Sequence, residues 1–162
     1  MTAGALEAAV NDGTDRRARE AMALGSLMAG LALNTARLGL VHGLAHPIGA
    51  LTGAAHGLLC GLLMPAVIEF NLPAAESKYA RMARVLGAAT LATGDSAAAR
   101  ALVRFIRELN ARVGIPERLG PLGLSRDTLP YVAAEAMPSG STRANPRPVS
   151  EADALAVALA AW

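Results

Sequence analysis

Residues 38–57, LGLVHGLAHPIGALTGAAHG, hold all three histidines of the chain, His42, His46 and His56, in a setting of glycine, alanine and leucine. The apolar spacing predicts a helix starting near Leu38 and carrying His42 and His46, which at four residues apart project from one face. Pro47 interrupts or kinks that helix. A further helix from about Ala54 to Phe70, bent near Pro65, follows the break, so a chain reversal returns His56 toward the first two imidazoles. Three histidines meeting at one place suit a divalent metal, and by spacing alone His42 with His46 is the favoured pair. The zinc-protease pattern H-E-x-x-H is excluded, because Gly43 stands where its general-base glutamate is required.

The surrounding sequence is helical throughout. In this chain of 162 residues, apolar residues make up 53% and aromatics 3%, so the core must be built from Ala, Leu, Val and Met in closely packed helices, and no run has strand character. The length suits one domain, residues 1–162. Residues 1–10 read as the end of a helix, followed by the turn Asn11-Asp12-Gly13. Thr14 or Asp15 caps a long helix to about Ala36, whose part from Ala21 to Leu33 is apolar all round, the pattern of a central helix. Its Gly25, Ser26, Ala29 and Gly30 invite close approach by a neighbour.

Asn71-Leu72-Pro73 is read as a turn into a shorter helix at 74–86. Residues 96–113 form the clearest amphipathic helix, with Leu102, Phe105, Ile106, Leu109 and Val113 on one face and Arg104, Glu108 and Arg112 spaced for i, i+4 pairing. Ser125 or Asp127 caps a short helix through Met137, and residues 138–148 are irregular. Ser150 with Asp153 forms a capping box that opens a last helix to Trp162.

Several function classes are set aside. The net charge is +2, but the basic residues are scattered among 13 acids, so no nucleic-acid surface is expected. The apolar run 47–70 is broken by Pro47, Gly49, Gly53, His56, Gly57, Gly61 and Pro65, which argues for a buried helix over a membrane span. The N-terminus lacks the order of a signal peptide. Cys60 stands alone, which excludes an internal disulfide and a cysteine-built zinc cluster. It reads as a small buried hydrophobe in a cytoplasmic protein.

The run Gly39-Leu40-Val41-His42-Gly43-Leu44-Ala45-His46-Pro47-Ile48-Gly49, followed by Ala55-His56-Gly57 and Pro65, resembles the signature G-x-x-H-x-x-A-H-x-x-G…H-G of the iron-containing (group III) alcohol dehydrogenases. DRRAREAMALGSLMAGLALNTARLG is similar to the helix that precedes this motif in the family, GIPERLGPLGLSRDTLP to its later helical region and NPRPVSEADALAVALAAW to its C-terminus, so the resemblance covers nearly the whole chain. It implies an all-α, multi-helix bundle like the family's C-terminal, dehydroquinate synthase-like domain, without the N-terminal dinucleotide-binding domain.

The family resemblance further implies hydride transfer between small alcohols or aldehydes and NAD(P), assisted by Fe²⁺ or Zn²⁺. It assigns His42 and His56 as metal ligands, and His46 as the catalytic histidine beside substrate and nicotinamide. The family's other two ligands, an Asp and a His in D-x-x-x-H, have no counterpart here, nor does the Gly-rich pyrophosphate loop. The expectation is therefore a fragment of such an enzyme, inactive and weakly metal-binding alone, whose cleft face meets the nucleotide-binding domain or a second copy. A free-standing helical metal-binding or interaction module is the alternative.

Overall fold

The computed structural model describes residues 2–162; Met1, with which the first expected helix begins, lies outside them. Eight α-helices and no strand occur among the described residues: α1 (Thr2–Asn11), α2 (Arg16–Ala36), α3 (Leu40–Thr52), α4 (His56–Val85), α5 (Asp95–Arg112), α6 (Leu129–Ala136), α7 (Gly140–Arg143) and α8 (Glu151–Ala161). The all-α expectation holds.

One core is built where α3, the first half of α4, α6 and α8 meet, around Leu40, Leu44, Ile48, Leu59, Leu63, Leu129 and Val132. A second lies between the later half of α4 and α5, around Ile68, Ala80, Ala83, Ala99 and Leu102. Small residues dominate both, which lets helix axes approach closely in a chain with few aromatics. The Cβ that Gly43 lacks would fall onto Thr142 Oγ1, so α3 and α7 touch there backbone to side chain.

The local signals sort themselves cleanly. Asp15 is the N-cap of α2, accepting from the Ala18 N–H at 3.0 Å. Ser125 accepts from the Asp127 N–H and caps the short 3₁₀ turn Arg126–Thr128 that leads into α6. The Ser150–Asp153 capping box is formed in both directions. The interruption expected at Pro47 is not found: α3 runs through it and ends at Gly53, whose φ of 69° suits a residue without a Cβ.

Further expectations are corrected. The turn at 71–73 is absent: α4 continues through Pro73, and its one non-helical residue is Ala75 (φ −138°, ψ 18°), not a position near Pro65. A proline cannot donate to the carbonyl one turn earlier, so the helix yields just past Pro73. Residues 140–143, expected to be irregular, form a single helical turn capped by Ser139. On α5, Arg112 pairs at 2.8 Å with Glu7 of α1, across the fold instead of along its own helix.

The largest correction concerns α2. Of its residues only Ala18 is buried, while Leu24, Leu27, Met28 and Leu31 are 48–64% exposed. Gly25 does receive a neighbour, Thr2 of α1, but nothing approaches Gly30. An all-round apolar helix announces that something covers it; among the described residues α1 is the helix packed against it.

Between α2 and α3 the chain turns by 108°. Arg37 makes the turn at φ 58° and ψ −171°. Among the described residues, α4 is the one helix long and apolar enough to cross a membrane, and half of its most apolar window is buried within the fold.

Candidate metal centre

Helix α3 carries His42 and His46, and α4 begins at His56 after the short link 53–55. The two helices pack through Leu44, Ile48, Leu59 and Leu63, all fully buried, which fixes the register of the imidazoles at their solvent-facing edge. The His42 and His56 rings lie 5.1 Å apart between centroids, tilted by 56°. His46 stacks on His56 at 5.4 Å and 29°. His42 is half-buried, while His46 and His56 are exposed.

All three histidines singled out in the sequence thus meet at one place. They are not equivalent there. The donor atoms that lie within 4.8 Å of one another belong to His42, His56 and Cys60; His46 falls outside that set. The pairing favoured by spacing alone, His42 with His46, is therefore not the one that this clustering selects.

Cys60 is the residue that sequence reading missed. Its Sγ sits 3.4 Å from His56 Nε2 and 3.8 Å from His42 Nε2. The available signal was the spacing: Cys60 follows His56 by four residues, the same one-turn interval that links His42 to His46. Cys60 is half-buried, and that burial raises its thiol pKa above the ordinary cysteine value. Burial first, then the neighbouring imidazoles of His56 and His46, hold His42 below the ordinary histidine pKa. A depressed value keeps the ring neutral, the form that binds a metal.

The donors fit a divalent cation. In a tetrahedral site with metal–sulfur and metal–nitrogen bonds of about 2.3 and 2.0–2.1 Å, the sulfur-to-nitrogen edge is about 3.6 Å, and the two observed separations bracket it. Imidazole serves Fe, Zn, Ni and Cu alike.

Behind the site, a buried polar cluster sets the start of α3. Asn145, in the segment after α7, accepts from the Leu40 N–H at 3.2 Å through Oδ1 and exchanges hydrogen bonds with Asn71 of α4. Arg147 donates to the Phe70 carbonyl at 2.9 Å and lies 4.1 Å over the Phe70 ring. The NPRP segment therefore braces both histidine-bearing helices as well as the approach to α8.

Comparison with known proteins identifies the family and the fold. The family profile described as Fe-containing alcohol dehydrogenase family, C-terminal, matches residues 1–162. The 1,3-propanediol dehydrogenase of Citrobacter freundii is 39% identical over 146 residues, covering 90% of this chain and 38% of the relative. The lactaldehyde reductase of Escherichia coli (strain K12) is 36% identical over 162 residues, covering 100% of this chain and 42% of the relative.

Among solved structures, a 1,3-propanediol oxidoreductase superposes with a TM-score of 0.96 at 36% identity, over 99% of this chain and 42% of its own. An alcohol dehydrogenase from Oenococcus oeni gives 0.95 at 32%, with the same coverage of both chains. This chain spans about two fifths of the length of those relatives. It belongs to the iron-containing alcohol dehydrogenase family, of which it carries the C-terminal, all-helical part.

Proposed function

We propose that this chain is the metal-holding wall of an NAD(P)-dependent alcohol dehydrogenase, an oxidoreductase that interconverts small alcohols and aldehydes by hydride transfer. The observation that carries the reading is the meeting of His42 and His56 at 5.1 Å with His46 stacked beside them. His42 and His56 hold a divalent ion, Fe²⁺ or Zn²⁺, through ring nitrogens. Such an ion, when bound, supplies Lewis-acid polarisation of the alcohol or carbonyl oxygen.

The remaining chemistry belongs to the chain's own groups. His42, kept neutral by burial, holds a nitrogen lone pair ready. His46 is exposed on the outer side of His56. From there its ring nitrogen orients the substrate hydroxyl or relays its proton, next to the nicotinamide. Leu44, Ile48, Leu59 and Leu63 form the rigid floor that keeps the imidazoles in place. The dinucleotide is bound outside this chain's helices, by a nucleotide-binding domain facing the histidines.

The exposed apolar face of α2 supports a partner surface. Leu24, Leu27, Met28 and Leu31 are covered when that domain docks, and by a second copy of this chain when it does not. A lone half-buried cysteine, scattered charges and a half-buried α4 support a cytoplasmic protein with neither nucleic acid nor membrane as partner.

The test joins this chain to the N-terminal part of the Escherichia coli lactaldehyde reductase, replacing the segment it matches. The hybrid should reduce a small aldehyde with NADH or NADPH in the presence of divalent metal. His46→Ala should retain the metal and lose about 100-fold or more in turnover, the scale of acid–base participation. A folded, metal-loaded hybrid without activity counts against the reading.

A further inference from the structure

We propose that Cys60 is a metal ligand, so that His42, His56 and Cys60 form a His₂Cys site that takes zinc in preference to iron. The inference rests on the reading of His42 and His56 as ligands and adds to it a third donor from the chain itself.

Three independent features of the fold lead to it. His56 and Cys60 sit one turn apart on α4, which places both side chains on the same face. His42 is delivered to that face by α3, whose packing on α4 is fixed by fully buried leucines and Ile48. Finally, the sulfur stands almost equally far from the two imidazole nitrogens, 3.4 and 3.8 Å. A thiol placed only to fill space has no reason to face two ring nitrogens at once. A simple S–H hydrogen bond needs one of them, whereas a metal vertex needs both.

The donor set selects the ion. A thiolate is a soft ligand, and two imidazoles with one sulfur suit zinc better than ferrous iron, which also lies below zinc in the general affinity order for divalent ions. Three protein donors with the fourth position left to water or a substrate oxygen is the arrangement of a catalytic zinc site. The expectation from two imidazoles alone, weak and substoichiometric binding, is thereby revised: the isolated chain should hold one zinc ion.

The test is a Co²⁺ titration of the full chain, followed by competition with Zn²⁺ and with Fe²⁺ under anaerobic conditions. Cobalt should bind one per chain and produce a near-ultraviolet thiolate-to-cobalt charge-transfer band, which zinc removes and an equal concentration of iron does not. Cys60→Ser should abolish the band and weaken zinc binding by about 100-fold or more, since losing even an outer-sphere partner of a metal site costs 10- to 100-fold. Cys60→Ala, checked for retained helicity, controls against weak ligation by the serine hydroxyl.

Cobalt bound without a sulfur band, or zinc affinity unchanged in Cys60→Ser, overturns the role of Cys60 and leaves the histidine site standing. Failure of the wild-type chain to bind any of the three ions overturns the three-donor site. If the hybrid described above then also stays metal-free, the reading of His42 and His56 falls with it. Displacement of cobalt by iron as readily as by zinc overturns the selectivity alone.

Discussion

Asn71 and Asn145, 74 positions apart in the chain, exchange both of their side-chain amide hydrogen bonds inside the protein, at 3.1 and 2.7 Å. Asn145 also accepts from the Leu40 N–H at 3.2 Å and donates to the Arg147 carbonyl at 2.8 Å. One amide thus serves α4, the first turn of α3 and its own loop. Gly39, the N-cap of α3, has no side chain to offer that turn, so the cap comes from the far end of the sequence.

Asn145→Ala should therefore be costly. It strips partners from a buried Asn71 and from the Leu40 N–H, and each buried group left unpaired costs about 1–3 kcal/mol. Chemical denaturation should show a loss of at least about 2 kcal/mol. Asn145→Asp, which keeps the acceptor and loses the donor, should fall between the two. A loss within the error of measurement for Asn145→Ala would show that the pair is incidental.

Arg37 should be improved by glycine. Its φ of 58° with ψ near 180° is a conformation almost reserved for residues without a Cβ, and such strain costs of order 1–3 kcal/mol. The extra entropy of glycine in the unfolded chain recovers only part of that. Arg37→Gly should raise the melting temperature, and Arg37→Ala should leave it unchanged or lower it. The reverse order would mean that the joint between α2 and α3 does not hold this geometry in solution.

Gly43 lies against α7, and its replacement tests how tightly α3 is seated. A Cβ there meets Thr142 Oγ1, with Thr142 Cβ at 3.3 Å and the Ala136 carbonyl oxygen at 3.6 Å. Thr142 Oγ1 is itself buried without a hydrogen-bond partner, so removing it forfeits no bond. Gly43→Ala should cost about 1–3 kcal/mol, the range for overpacking, and Thr142→Ala should restore part of it in the double mutant. Strict additivity in that cycle would place the two residues out of contact.

What the sequence made legible was local. Asp15 and Ser150 with Asp153 announce helix starts because caps act within one turn. The histidine run disclosed two helices, but the break falls at 53–55 and not at Pro47. The exposure of α2 was not legible: Leu24, Leu27 and Leu31 spell a buried helix whether the cover lies in this chain or beyond it. Neither were Asn71 with Asn145, nor Thr142 with Gly43, since a pair of single residues far apart in the chain leaves no periodicity behind. Cys60 was legible as a one-turn partner of His56, but its second neighbour, His42, is supplied only by the packing of α3 on α4.

His42 makes the stability of the metal-free protein depend on pH. Burial, then the adjacent His56 and His46 rings, lower its pKa in the folded state below the ordinary 6.5, which is the value in the unfolded chain. As pH falls, the unfolded state takes up the proton first, so folding stability declines. The contribution is fully present above pH 6.5 and is lost as pH falls through the lower folded value. Thermal melting of metal-free protein should show this decline as pH falls below 6.5, and His42→Gln should flatten it. A variant whose melting temperature keeps the wild-type slope in that interval would assign the dependence to other groups.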